Sequence, residues 1–410
     1  MKADTELLKS RSQRAKVIAS YDQSDPLVVM QTNMPGHAKH HPAADVVLKT
    51  FKRVLEALYK QPVEIHRSSD GDYAIMPCKR DVERLKNTLV YLEENHPLGR
   101  LVDLDVHYLG EQHSRRDLGM PPRRCFLCEK DVNVCRREGN HSVESLVNHF
   151  DDTVRAFLKR ALAKEAIHAL RRELFTYPCF GLVSHRDSGI HTDMNISHFL
   201  SAFEILKEAF ETYLSYGLHK GFSLSTLREQ GKRYELTLLK TVGANTHKGA
   251  HYLFGLILPF FARSVMEGNG REAFLEALKK AASTFESEDL AEQKTPESTG
   301  EKAYQSYRVR GIRGEIAEGL PSIYAWYPGA HLSDLEKLIQ IMMRLDDTTL
   351  LKGEKGLLED VKRCMREYIG NPSPEMEKKL DCLKKNVSPG GAADMLALVF
   401  FLERSDYLLE

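Results

Sequence analysis

The hydrophobic periodicity of this sequence changes once, and that change constrains the fold more than any other feature. Up to about Gly110, runs that alternate every second residue are interleaved with runs that recur every third or fourth; from Asp151 onward the helical period stands alone. A chain of 410 residues exceeds what one hydrophobic core usually organises, so the change marks the border between two expected domains, residues 1–150 and 151–410.

In the first segment, Leu27–Thr32 is a β-branched and apolar run closed by Met34-Pro35-Gly36, a strand ending in a turn. Val46, Val47, Phe51, Val54, Leu55 and Leu58 recur at helical spacing, and residues 63–67 and 72–76 flank a Ser-Ser-Asp-Gly turn as a hairpin. A second helix is predicted over 81–94 and a strand over 100–109, the latter with Leu101, Asp103 and Asp105 on one face. The order βαββαβ predicts an α+β sheet domain, ferredoxin-like or nucleotidyltransferase-like. The second segment is expected to be all-α, with helices through Val154 to Leu174, 199–213 and 335–345. Residues 286–301, rich in Glu, Ser, Thr, Lys and Pro, are expected to form a mobile loop.

Lys plus Arg and Asp plus Glu both number 58, a balance that lacks the basic footprint of a nucleic-acid binder. The first residues carry no apolar signal-peptide core, and the most apolar run, 252–261, is short for a bilayer and contains Pro259. No membrane association is expected, and the cytoplasm is the expected location. Three of the seven cysteines cluster, as suits a reducing compartment with one metal site.

Those three form Cys125-x2-Cys128-x6-Cys135, followed by His141, which is three thiolates and one imidazole within reach of a tetrahedral structural zinc. Arg123, Arg124, Arg136 and Arg137 surround the cluster and suit phosphate as well. Asp103 and Asp105 lie two apart on a strand whose Val102, Leu104 and Val106 face the core, so both carboxylates project from the free face and can hold a hard divalent cation. In the second segment Asn245-Thr246-His247-Lys248-Gly249 could be a phosphate cradle or simply a turn and helix start. Asp193, Glu315, Asp346, Asp347 and Asp394 each lie beside an expected helix end; singly they suit caps, together they suggest one polar site.

Asn33-Met34-Pro35-Gly36 with Lys39, His96 through Val106, and Arg115 through Cys128 resemble the apo-citrate lyase phosphoribosyl-dephospho-CoA transferases over residues 5–150. The resemblance implies transfer of a prosthetic-group precursor to a serine of the apo-citrate lyase acyl carrier (gamma) subunit with release of pyrophosphate. Mg²⁺ would be held by Asp103 and Asp105, and phosphates by Lys39, Arg100, Arg123 and Arg124. Phe180-Gly181-Leu182-Val183, His191-Thr192-Asp193-Met194, Gly243 through Gly249, Arg313-Gly314-Glu315 and Ser388 through Ala397 resemble the triphosphoribosyl-dephospho-CoA synthases over 160–405. That family joins ATP to 3′-dephospho-CoA and expels adenine. Asp193, Glu315 and Asp394 would then be the acid–base residues. Asn245, His247, Lys248 and Arg313 would hold the triphosphate, and Asp346 or Asp347 would hold Mg²⁺. Two departures are Ser184, where the family more often has Asp, and Lys352-Gly353-Glu354, where it tends to carry Arg-Gly-Gly. The alternatives are maturation of malonate decarboxylase and a non-enzymatic zinc-binding interaction module.

Overall fold

The computed structural model describes residues 2–22, 24–36, 39–177, 179–219, 221–289, 299–352, 356–370, 373, 375 and 388–410. These divide into two compact units. One comprises residues 1–158 with 265–268, the other 159–264 with 269–410.

The first unit opens with α1 (Lys2–Ser20), then β1 (Leu27–Thr32), α2 (Pro42–Tyr59), β2 (Glu64–His66), β3 (Tyr73–Pro77), α3 (Val82–Asn95), β4 (Val102–Tyr108), β5 (Glu111–His113) and α4 (Val132–Glu138). The sheet runs β2-β3-β1-β4-β5 with every neighbouring pair antiparallel. Val28, Met30, Leu104 and Val106 share one sheet face and are almost fully buried, as are Val46, Val47, Phe51 and Leu55 of α2 and Leu85 and Leu89 of α3. On the other face Gln31 pairs with Tyr73 on one side and Asp103 on the other, and Val29 with Ile75 and Asp105. Val17, Ile18 and Tyr21, at and just after the end of α1, cover part of that second face by packing on Val29, Tyr73 and Ile75. Sequence reasoning had not placed a helix there. Leu101 departs from the expected strand: it ends a 3₁₀ turn, Gly99–Leu101, and is buried rather than beside the two aspartates.

The helix α5 (Val143–Leu174) contributes residues to both units, and the second unit continues with α6 (Ile196–Leu218), α7 (Leu224–Val242), α8 (Lys248–Glu267), α9 (Arg271–Asp289), α10 (Thr299–Tyr307), α11 (Gly311–Glu318), α12 (Pro321–Tyr324), α13 (Asp334–Met342), α14 (Leu357–Gly370) and α15 (Gly390–Ser405). Among its described residues it has helices and connecting loops and no strand. The core is aromatic: Phe401 of α15 meets Phe254 and Phe261 of α8 edge-on at 5.8 and 5.4 Å. By length and composition α8 could cross a bilayer, but 72% of its apolar window is buried, as expected of a core helix. Gly217 lets α6 cross α8 where Pro259 interrupts its hydrogen bonding, since a Cβ there would fall 2.1 Å from the Pro259 carbonyl oxygen. Of the loop expected over 286–301, residues 286–289 belong to α9 and 299–301 to α10, and residues 290–298 lie outside the described residues.

Candidate functional site

In the first unit the acidic pair is held by basic side chains. Arg123 lies 2.7 Å from Asp103 and also pairs with the buried Glu93, which accepts the Leu104 N–H at 2.8 Å. Lys86, itself buried, donates to the Leu104 carbonyl at 2.7 Å and lies 3.3 Å from Asp105. Burial pushes the Asp105 carboxyl up, the neighbouring Asp103 adds to it, and Lys86 opposes both. The Asn33 amide donates to the Val102 carbonyl at 3.0 Å, tying the loop after β1 to the start of β4. Arg100 donates to the Arg124 carbonyl and Arg124 pairs with Glu129. Lys39 donates to the Met34 carbonyl, and burial pulls its ammonium pKa down. No contact among the described residues joins Lys39 to the aspartates.

Beyond β5, a bridge between Arg124 and Asp131 folds residues 125–131 back, and Asp131 caps α4, which carries Cys135. Gly139, at φ +62°, ends that short helix in the left-handed conformation and lets the chain turn back to His141. The ligand atoms of Cys125, Cys128, Cys135 and His141 all lie within 4.8 Å of one another, and the Cys128 and Cys135 sulfurs are 3.8 Å apart. Bonds of about 2.3 Å to a tetrahedral zinc require sulfurs about 3.8 Å apart. His141 Nε2 is buried with no hydrogen-bond partner, an atom that a metal would satisfy. The residues fit the ion.

In the helical unit, loops distant in sequence converge on the start of α15. Asp347 is buried; its Oδ1 accepts the Thr349 N–H at 2.9 Å and hydroxyl at 2.7 Å, and its Oδ2 accepts the Ala392 N–H at 2.9 Å. The Thr349 hydroxyl also lies 2.7 Å from the Ser388 carbonyl, an alternative acceptor for its one proton, and the Ser388 hydroxyl meets His191 Nε2 at 2.9 Å. One turn into α15, Asp394 places its Oδ2 where a Cβ on Gly249 would fall, 1.9 Å away, so the glycine at the start of α8 makes room for the carboxylate. Burial pushes the Asp394 carboxyl well above the ordinary range, the nearby Asp347 adds to it, and the Ala250 N–H pulls it back. Ile312, beside the Arg313-Gly314-Glu315 run on α11, approaches the same glycine.

Known proteins match the two parts of the chain separately. The family model described as apo-citrate lyase phosphoribosyl-dephospho-CoA transferase matches residues 4–157, and that described as ATP:dephospho-CoA triphosphoribosyl transferase matches residues 159–410. The chain belongs to the second of these families, and its first part matches the first. Among similar proteins, one named CitXG from Leuconostoc mesenteroides subsp. cremoris is 28% identical over 97% of this chain and 96% of its own. A CitXG of Haemophilus influenzae is 27% identical over 97% and 95%. A probable 2-(5″-triphosphoribosyl)-3′-dephosphocoenzyme-A synthase of Malonomonas rubra is 31% identical over 56% of this chain and 81% of its own.

Within the phosphoribosyl-dephospho-CoA transferase part, the structure gathers Asp103, Asp105, Arg123 and Glu93, and Arg100, on the 3₁₀ turn before β4, bonds to the carbonyl of Arg124 beside the first thiolate. Within the triphosphoribosyl transferase part the expected residues differ in placement. Asp347 has both oxygens engaged at the start of α15, the arrangement of a cap rather than of an open metal ligand. Asp346 is exposed and paired with Lys362. Asp193 is exposed, 3.7 Å from His191. Glu315 accepts from the Ser322 N–H at 3.1 Å and hydroxyl at 2.8 Å, and burial raises its pKa. Lys248 is paired with Glu235 at 2.5 Å, Arg313 lies 5.0 Å over the Tyr252 ring, and Asn245 is exposed. His247, expected to help hold the triphosphate, is buried. Packed on Phe199 and Phe203, it has its pKa pulled down to about 3 by burial and then by His251, and it stays neutral. Ser184 is buried and caps a turn, accepting from the Arg186 N–H at 3.2 Å. Gly353 and Glu354 lie outside the described residues. Sequence reasoning missed Glu173, in the last turn of α5, whose carboxyl is raised well above its ordinary value by burial and then by Asp394.

Proposed function

We propose that this chain is a bifunctional maturation enzyme of citrate lyase. Its helical unit makes 2′-(5″-triphosphoribosyl)-3′-dephospho-CoA from ATP and 3′-dephospho-CoA with release of adenine. Its sheet unit transfers that product to a serine of the apo-citrate lyase acyl carrier subunit with release of pyrophosphate. The observation that carries this reading is the convergence of Asp347, Asp394 and Gly249 at one place in the helical unit, on a chain that joins both families from end to end. Substitution at the ribose anomeric carbon breaks the bond to adenine and forms one to a hydroxyl oxygen of dephospho-CoA, leaving the triphosphate intact. The departing base needs a proton, and the hydroxyl must lose one. Asp394, whose surroundings favour its protonated form, is suited to give the first; Glu315 or Asp193 would take the second. Lys248, Arg313 and Asn245 would hold the triphosphate.

In the sheet unit the strand order β4-β1-β3-β2 favours a ferredoxin-like or nucleotidyltransferase-like reading. Asp103 and Asp105 would hold Mg²⁺, which offsets charge on the triphosphate as the carrier serine attacks the α-phosphorus. Arg100, Arg123, Arg124 and Lys39 would meet phosphates, and a zinc on Cys125, Cys128, Cys135 and His141 would brace the segment that carries the arginines. The cytoplasm suits both substrates. Two measurements test the whole. Full-length protein given ATP, dephospho-CoA and Mg²⁺ should release adenine, and addition of the apo-carrier should then release pyrophosphate while the carrier gains the mass of the prosthetic group. Absence of free adenine would overturn the reading.

A further inference from the structure

Where α5 ends, the helical unit leaves planar side chains in the open. Phe175 is 51% exposed and Tyr177 46%, and His185 and Arg186 on the following loop are exposed as well. They are assembled, not scattered. The Phe175 ring stacks on the His185 imidazole with centroids 5.2 Å apart and planes 11° from parallel, and Tyr177 meets the same imidazole edge-on at 6.4 Å. The Arg186 guanidinium lies 4.0 Å over the Tyr177 ring. Two large aromatics left in water forfeit burial free energy that the rest of this unit gains from its phenylalanines. A preassembled exposed π surface beside a guanidinium suits a planar heterocycle carrying phosphates.

Its position links it to the site. The His185 N–H donates to the Leu174 carbonyl at 3.2 Å, which fastens the loop to the end of α5. Cys179 and Leu182 on the same loop pack on Ala393, the neighbour of Asp394. The Ile190 N–H donates to the Gly181 carbonyl at 3.1 Å, and the next residue, His191, reaches Ser388. The aromatic stack therefore belongs to the loop laid against the start of α15, where the Asp347 and Asp394 carboxyls lie.

We propose that Phe175, Tyr177, His185 and Arg186 form a stacking platform for the adenine ring of one of the two nucleotides that the helical unit joins. The inference rests on the function proposed above, because ATP and dephospho-CoA both carry adenine. The platform is a specificity element: it distinguishes nucleotides with a purine from the same phosphates without one.

The test uses full-length protein, with wild type, Phe175→Ala with Tyr177→Ala, and Phe175→Leu with Tyr177→Leu, which keeps apolar bulk but removes the rings. Circular dichroism checks the fold, and adenine release is followed while ATP and dephospho-CoA are varied in turn. Both ring-less variants should raise the KM for one nucleotide by about five- to 150-fold, the range covered by loss of one base–aromatic stack, and by more than they lower kcat. Calorimetric titration with ATP alone and with dephospho-CoA alone should show the same loss for that nucleotide. A change confined to ATP assigns the platform to the departing adenine; one confined to dephospho-CoA assigns it to the retained adenine. If wild type releases adenine and the variants bind both nucleotides as tightly, the platform is refuted while the proposed function stands. The same holds if the variants change only self-association in sedimentation. If wild type releases no adenine, it is the proposed function that fails.

Discussion

The acidic groups of the two units are held in opposite ways. In the sheet unit each aspartate has a cation at hand, Arg123 for Asp103 and Lys86 for Asp105. In the helical unit Asp347, Asp394 and Glu173 have no ion pair among the described residues; backbone N–H groups and other carboxyls surround them, and burial raises all three. Under the proposed function, charge-balanced carboxylates on a partly open sheet face would exchange a side-chain cation for a metal ion. Desolvated carboxyls without a cation favour the protonated form and are ready to give a proton. The contrast fits the two reactions, one moving charge on phosphates and the other moving a proton onto a departing base.

The largest expected effect comes from removing the charges on the sheet face. Asp103→Asn with Asp105→Asn should reduce carrier labelling to background, because each metal-assisted step loses several kcal/mol of charge stabilisation. Adenine release should continue, so free triphosphoribosyl-dephospho-CoA accumulates and mass spectrometry finds an unmodified carrier. Labelling at the wild-type rate would mean that the pair only balances Arg123 and Lys86, and the contrast would collapse. Next, Asp394→Asn should slow adenine release by roughly a hundredfold to a thousandfold, within the range of a general acid, and leave transfer of pre-made precursor untouched. An unaltered rate would make Asp394 a cap for α8.

A smaller effect concerns the thiolates. Protein purified without chelator should contain about one zinc per chain, and Cys125→Ser with Cys128→Ser should lose it, as a four-ligand site requires. Adenine release should persist, since the segment belongs to the other unit; zinc retained in full would show that the four atoms are gathered for another reason. The smallest effect sharpens the contrast through pH. Because the folded unit favours a protonated Glu173 where the unfolded chain has already lost the proton, its contribution to stability falls as pH rises above the ordinary carboxylate range toward the raised folded value. Glu173→Gln removes that titration. The variant's melting temperature relative to wild type should therefore climb by about a few degrees between about pH 5 and about pH 8. Parallel profiles would place the Glu173 carboxyl in water.

Local pattern in the sequence was enough for β1, α2 and α3, whose apolar spacing is regular and whose ends carry turn or cap residues such as Gly36 and Asp81. It was not enough for α1, a polar helix whose docking depends on three residues finding Val29, Tyr73 and Ile75 across the sheet. The alternation of Asp103 and Asp105 with valine and leucine was legible because a strand has a strict period of two. Glu173 was not, since Arg171-Arg172-Glu173 reads as a solvated helix face until Asp394 arrives from far along the chain. The burial of His247 was not legible either, since it packs on Phe199 and Phe203, which no local motif announces.

The close approach of Asp394 to Gly249 also sets an order on how this chain can diverge. Because a methyl group at position 249 would fall 1.9 Å from the carboxylate oxygen, no lineage can acquire even alanine there while the acid is in place without displacing it. A lineage that has first lost the acid meets no such carboxylate, and an acid returning opposite alanine would need another rotamer. The two positions are therefore sterically coupled. A descendant with alanine at 249 and no acid at 394 would have lost the carboxyl that the start of α8 now accommodates.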